Sequence, residues 1–188
     1  MANNQKERNR TYKALKIRDT VGIINKKYIN KFGKIDGNRR FYCSECDTIH
    51  YENPKPTATL VCPNEDKILL VKRATDPGKG EWGLPGGFIE RGETAVEGAL
   101  RELFEETQLH GVAASILGTC SHFNTIFGDI LLIGMEIKIN NWNKMIAGDD
   151  AQEAELFSLN NIPRLAFPCH EKILKLYQKK FEDNNFTK

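Results

Sequence analysis

Glu102, Glu105 and Glu106 stand three and four positions apart in a stretch whose apolar residues Val96, Ala99, Leu100 and Leu103 recur at helical period. At 3.6 residues per turn the three carboxylates share one face and the apolar stripe takes the other. Like charges at that spacing repel by roughly 0.2–0.5 kcal/mol per pair on an exposed helix. Such a cluster makes sense if a divalent cation lies against it, and hard carboxylate oxygens suit Mg²⁺ or Mn²⁺. Arg101 can hold one neighbour, Glu93 or Glu102, in a bidentate contact that fixes its orientation. Just upstream, the Gly86-Gly87 pair allows close backbone approach, and the Gly86 carbonyl could face a metal. The helix is therefore expected to be buried on one side and to bind metal on the other.

The spacing continues in both directions. From Gly87 the chain reads Gly-x5-Glu93-x7-Arg101-Glu102-Leu103-x-Glu105-Glu106-x-Gln108-Leu109. This resembles the Nudix box, Gly-x5-Glu-x7-Arg-Glu-U-x-Glu-Glu-x-Gly-U with U aliphatic. The departure is Gln108, which stands where the second glycine belongs. That glycine would end the helix in a left-handed conformation. Here either Gln108 takes up that conformation or the helix runs on towards Gly111. The approach, Trp82 to Glu90, also resembles the family. The resemblance implies an α/β/α sandwich with a mixed sheet. It further implies hydrolysis of a nucleoside diphosphate linked to another group, with Mg²⁺ or Mn²⁺ as cofactor. On that basis Glu102 and Glu106 are direct metal ligands, Glu105 is a direct or water-mediated one, Gly86 contributes its carbonyl, and Arg101 and Glu93 complete the catalytic set.

The elements that must position this helix follow from the rest of the chain. Thr57 to Cys62 and Lys67 to Arg73 read as strands about the turn 63–66, with Leu69, Leu70 and Val71 as core candidates. Ala113 to His122 and Ile130 to Ile139 are strand-like, the second as a buried apolar run. His170 to Phe181 reads as a closing helix with Ile173, Leu174, Leu176 and Tyr177 inward. Gly148-Asp149-Asp150-Ala151-Gln152-Glu153 leads into a last strand. By the family resemblance this segment supplies a further acidic ligand or base, with Asp150 the first candidate and Glu153 the second; their plainer reading is a surface turn. Arg73, at a strand end, is a candidate for a substrate phosphate. Trp82, Phe123 and Phe127 are candidates for substrate contact, with packing as the competing role, and His122 lies in the same inter-strand region. Cys169 and His170 are assigned no catalytic role, because no cysteine and histidine stand at a meaningful spacing.

Length and composition bound the remainder. The 188 residues suit one domain with a small appendage, and 40% hydrophobic with 28% charged residues is an ordinary globular balance. No run of eighteen apolar residues suggests a membrane span, and residues 1–10 lack the apolar core of a secretory signal. Five cysteines without a framework spacing point to a reducing, cytoplasmic setting. Residues 1–40 carry twelve Lys or Arg against three acids, so +9 there leaves −7 elsewhere. Such an arm can touch nucleic acid, but a solvated end offsetting an acidic body is the simpler reading.

The expected organisation is a basic segment over residues 1–27, a ribbon-like segment over 28–55, a catalytic domain over 56–182 and a tail over 183–188. Cys43-Ser44-Glu45-Cys46 with the following Ile49 to Pro56 resembles the second half of the zinc ribbon that precedes the catalytic domain in some Nudix hydrolases. In the slot of the first cysteine pair stand Ile29 and Phe32. Structural zinc needs four ligands, so Cys43 and Cys46 read as the remnant of a ribbon that has lost its metal. Similarity to zinc-ribbon members suggests ADP-ribose or a related dinucleotide as substrate, with NADH as an alternative. The signature expected for NADH pyrophosphatases after the box is absent, and Ser121 to Asp129 occupies that region. The alternative of another class is a nucleotide-sensing, nucleic-acid-binding regulator; intact Glu102, Glu105 and Glu106 speak against it. The expected partner is a small-molecule nucleotide, with no membrane, and the resemblance allows a homodimer.

Overall fold

The computed structural model describes residues 31–35, 38–43 and 48–185. The chain divides between Asn53 and Pro54 into two units. In the first, β1 (Lys31–Ile35), β2 (Asn38–Cys43) and β3 (Thr48–His50) form an antiparallel sheet, with Phe32 opposite Phe41 and Cys43 opposite Thr48. Ile29, Cys46 and the basic segment 1–27 lie outside the described residues.

In the second unit, alternation along the strands makes two cores. β4 (Lys55–Val61) sends Ala58 and Leu60 to one side and Val61 to the other, while β6 (Lys67–Arg73) sends Leu69 one way and Ile68 and Leu70 the other. Successive strand side chains point to opposite faces, so these residues can be apolar on both faces only if both are covered. They are. Helix α1 (Ala95–Thr107) packs Ala99 and Leu103 into the first cluster, and α2 (Pro168–Asn185) packs Ile173, Leu174 and Tyr177 into the second. The layers are therefore helix, sheet, helix.

The sheet layer is mixed. β4 runs parallel to β9 (Gly128–Ile139), which pairs antiparallel with β8 (Gly111–Thr125). β10 (Ala151–Ser158), β6 and β5 (Pro63–Asn64) form the other antiparallel set, with the short β7 (Trp82–Gly83) beside β6. The strands expected from the sequence are present, β8 and β9 being longer at both ends or at the start, and the closing helix continues to Asn185. Val96 departs from its expected place. It is 40% exposed, while its neighbour Ala95 in the same turn packs against the apolar cluster.

Two local features set where the helices sit. Gly118 of β8 and Gly134 of β9 are cross-strand partners. A Cβ at Gly118 would come within 2.9 Å of Leu176, and one at Gly134 within 2.7 Å of Ile173, so the glycine pair makes room for α2 against the sheet. Helix α1 begins with a capping box: Thr94 Oγ1 accepts from the Glu97 N–H at 3.2 Å, and the Thr94 N–H donates to Glu97 at 2.7 Å. It ends at Gln108, which is left-handed (φ 57°, ψ 14°) and donates its backbone N–H to the Phe104 carbonyl. Of the two alternatives for the missing glycine, the structure takes the first: the helix stops, and Gln108 bears the strain.

Candidate active site

The approach to the motif is carried by β4. The Ala58 N–H donates to the Gly87 carbonyl at 2.9 Å, Leu60 to Pro85 at 2.8 Å, and Ile89 to Pro56 at 3.1 Å, so the segment 85–89 runs along the strand. Gly86 sits at φ +131°, and a Cβ there would collide with the Ala58 carbonyl oxygen. A Cβ at Gly87 would come within 2.5 Å of the Glu102 carboxyl carbon. Both glycines therefore exist for close approach, the first to a strand and the second to a carboxylate.

Arg101 gathers three acids. Its guanidinium takes Glu93 in a two-point contact (Nη2 to Oε1 2.8 Å, Nε to Oε2 3.1 Å) and reaches Glu102 and Glu105, each at 2.8 Å, and the Phe88 carbonyl at 2.9 Å. The sequence left Glu93 and Glu102 as alternative partners; the fork is wide enough for both. Hydrogen bonds from Arg101 hold Glu93 below the usual carboxylate range. Gly98 is buried in α1 because a Cβ there would press on Glu93 at 2.7 Å.

Glu106 is different in kind. It is 5% exposed and accepts one hydrogen bond, from the Gly86 N–H at 2.8 Å. Among the described residues no cation forms an ion pair with it. Burial pushes it well above the ordinary carboxylate value, and Asp150 and Glu102 push it further, outweighing the Gly86 bond and the charge of Arg73. Burial also raises Glu102 despite its contact with Arg101. Isolated buried carboxylates are costly unless a counter-charge is supplied.

Asp150 is brought to this cluster by the end of α1. The Gly148 N–H donates to the Glu106 carbonyl and Ile146 to Thr107, each at 3.0 Å, and a Cβ on Gly148 would lie 2.8 Å from the Glu105 carbonyl. The Asp150 carbonyl in turn accepts from the Ala74 N–H at 2.6 Å. Glu153 is not brought in. A register shift between Ala151 and Glu153 places it opposite Lys72, with which it pairs at 2.8 Å on the surface.

Part of this cluster borders a cavity of about 450 Å³, lined on one side by Gly86, Gly87, Glu102, Glu105 and Asp150 and elsewhere by Arg73, Phe88, His122, Phe127, Phe167 and His170; Glu106 lies behind Gly86, outside the lining. That size suits a small-molecule ligand. Arg73 donates through Nε to the Pro77 carbonyl at 2.7 Å and lies 5.1 Å from the Phe167 ring centre. Phe127 meets Phe88 edge-on at 5.4 Å. Two of the proposed contact residues are elsewhere: Phe123 is 62% exposed and outside the lining, and Trp82 packs edge-on against Phe157 at 4.7 Å beneath Lys72. Residues that spacing did not single out also reach the wall. Cys169 Sγ lies 3.6 Å from His122 Nδ1, an approach across 47 positions that the sequence alone does not show. Cys43 closes β2, and Cys46 is outside the described residues.

The donor set suits a hard divalent cation in chemistry: Glu106 is buried with no ion pair among the described residues, and Asp150 and Glu102 both act on it electrostatically. Among the described residues no three such side chains are yet drawn together as a metal-holding group. Arg101 pairs with both Glu102 and Glu105.

A mixed sheet between two helices, with a carboxylate-bearing helix beside a cavity of small-molecule size, is the arrangement that the resemblance to the box implied. The chain belongs to the NUDIX family, whose domain matches residues 53–177. It is 43% identical over 137 residues to the ADP-ribose pyrophosphatase of Methanocaldococcus jannaschii, covering 69% of this chain and 76% of that one. It is 26% identical over 133 residues to the NAD-capped RNA hydrolase NudC of Pseudomonas entomophila, covering 70% of this chain but 46% of that relative. Among solved structures, a NUDIX hydrolase from Nitrosomonas europaea superposes with a TM-score of 0.69 at 30% identity, covering 80% of this chain and 85% of that one. Among the described residues, no helix is long and apolar enough to cross a membrane.

Proposed function

We propose that this chain hydrolyses the pyrophosphate linkage of ADP-ribose or a closely related nucleoside diphosphate derivative, with Mg²⁺ or Mn²⁺ as cofactor. The observation that carries this reading is the buried Glu106, without an ion pair among the described residues, next to Glu102 and Asp150, which line the cavity. The likeness to an ADP-ribose pyrophosphatase supports the choice of substrate.

On this reading Glu102 and Glu106 would hold the cation, with Asp150, the Gly86 carbonyl and, directly or through water, Glu105 as the further donors. A divalent ion so held neutralises diphosphate charge and lowers the pKa of bound water. Arg101, fixed to Glu93, holds Glu102 and Glu105 in place. Arg73 has its Nε committed to Pro77 and offers its guanidinium tip to a phosphate. Phe88 and Phe127 form an apolar edge against which a sugar or base can lie. Residues 56–182 constitute the catalytic domain and residues 28–55 a ribbon-like appendage without zinc.

The experiment is a panel of ADP-ribose, NADH and other nucleoside diphosphate derivatives with and without Mg²⁺ or Mn²⁺, with products resolved by chromatography. Cation-dependent release of AMP and ribose 5-phosphate from ADP-ribose is expected. Turnover of NADH in preference would move the substrate assignment. Binding without any turnover, with a salt-sensitive gel shift on nucleic acid, would replace the enzyme by a sensor.

A further inference from the structure

His170 lies one residue after Cys169, near the start of α2, and lines the cavity beside Arg73 and Phe167. Its Nδ1 lies 3.0 Å from the backbone nitrogen of Leu84. A backbone N–H can only donate, so Nδ1 must be the accepting nitrogen and the ring proton must sit on Nε2. A second ring proton would remove that acceptor and leave the Leu84 N–H unpaired. The ring is further fixed by an edge contact with Phe167, at 5.3 Å between centres, and by the close approach of Gly83, where a Cβ would lie 3.3 Å from Nδ1. Among the described residues nothing accepts a hydrogen bond from Nε2. A donor on a ring so fixed, with no acceptor among the described residues and on a residue that lines a cavity, is suited to select a ligand oxygen.

The surroundings say which part of a ligand it meets. Burial, then the positive charge of Arg73, then His122, hold His170 at about 4, so it is neutral near pH 7. Arg73 also acts on Glu106. Arg73 thus feels both the carboxylate cluster and His170, while no carboxylate is among the groups that set the charge of His170. Phe167 lies 5.1 Å from the Arg73 guanidinium and 5.3 Å from the His170 ring, so a ligand with phosphates against Arg73 has oxygens on the same stretch of lining as the imidazole.

We infer that His170 is a ligand-binding residue whose Nε2–H donates to an acceptor oxygen of the bound substrate, on a diphosphate or on the adjoining sugar. This rests on the pyrophosphohydrolase reading above. It gives the imidazole a task that a purely structural link to Leu84 does not require.

Two replacements separate the two nitrogens. His170→Asn can place its carbonyl oxygen near Nδ1, keeping the Leu84 link, and has no donor at Nε2. His170→Gln reaches the Nε2 position with an amide N–H and gives up the Leu84 link. The expected result for His170→Asn is a KM for ADP-ribose raised about three- to tenfold, with kcat within twofold and an unchanged melting temperature. His170→Gln should melt lower yet show the smaller rise in KM. A KM for His170→Asn equal to that of the wild type, on a wild type that hydrolyses ADP-ribose, overturns the inference. Should the wild type leave ADP-ribose intact, the substrate reading fails separately. Side-chain ¹⁵N spectra of the protein in Mg²⁺, titrated with inorganic pyrophosphate or with ribose 5-phosphate, then decide the role of His170. A shift of its Nε2 resonance with one of them supports the inference and identifies the oxygen as phosphate or sugar, and a shift with neither overturns it.

Discussion

Glu106→Gln tests the centre of the argument, because it changes charge while keeping size and the acceptor for the Gly86 N–H. In the cation-free protein this side chain is 5% exposed and faces the fields of Asp150 and Glu102. Removing a buried charge that has one hydrogen bond and no ion pair should stabilise the protein by about 1–3 kcal/mol. That corresponds to a melting temperature higher by roughly 2–10 °C. The sign with pH follows from linkage. The folded pKa of Glu106 lies above its unfolded value, so the stabilisation from binding its proton is complete at low pH and is lost as pH rises through the folded value. The Gln variant should therefore gain little over the wild type at pH 4 and most near pH 7.5. Adding Mg²⁺ at pH 7.5 should raise the melting temperature of the wild type and leave the variant nearly unmoved. Turnover should fall by about 10²–10⁴, since a lost ligand removes several kcal/mol of transition-state stabilisation at about 1.36 kcal/mol per decade. Scanning calorimetry with and without cation, paired with product chromatography, measures both. A variant that melts below the cation-free wild type at pH 7.5, or that turns over near normally, refutes the reasoning.

Gly87→Ala places a methyl within 2.5 Å of the Glu102 carboxyl, so it should displace that carboxylate and lower kcat by about 10–100-fold with the fold retained, as read by steady-state kinetics and circular dichroism. Gln108→Gly relieves a left-handed side chain but gives up the 3.1 Å bond from Nε2 to Phe104 and adds unfolded-state entropy; a net gain of about 0.5 kcal/mol in urea unfolding is expected, with turnover unchanged. Lys180 meets Glu136 at 2.7 Å and Ser115 at 2.6 Å. Burial alone would raise Glu136, but the Lys180 and Ser115 hydrogen bonds together lower it. Lys180→Met should then cost about 0.5–1 kcal/mol at pH 7, since the pair is partly exposed. That cost is present above the unfolded carboxylate value and fades as pH falls through the folded one, so urea unfolding at pH 3 should show little difference.

Most of the scaffold was legible because it is periodic. The strands β4, β6 and β9 announce themselves as apolar runs, and α1 as a stripe with its acids opposite. The capping box at Thr94 and Glu97 was not read from the sequence, although a threonine three positions before a glutamate at the head of an apolar-periodic stretch is its signal. The pairing of residues 85–89 with β4 was not legible, because a Pro-Gly-Gly run has no alternation from which to read a partner. Gln108 shows the same limit from another side. Spacing says that a left-handed residue is wanted there, but whether a glutamine adopts it depends on what receives the helix end. The receiving groups, Ile146 and Gly148, lie some forty residues further on.

The choice between Asp150 and Glu153 rests on one backbone irregularity. In a regular strand, residues 151 and 153 share a face, and an acid at 153 would keep its phase with the strand. The register shift between Ala151 and Glu153 breaks that phase, sending Glu153 to Lys72, while the turn before it leaves Asp150 beside Glu102 and Glu106. The same logic governs the far wall. His122, Cys169 and His170 come from a strand and a helix whose relative placement depends on Gly118 and Gly134 admitting Leu176 and Ile173. A single motif could therefore disclose the acidic side of the cavity, which one helix carries, whereas the donor side exists only once two distant elements have packed.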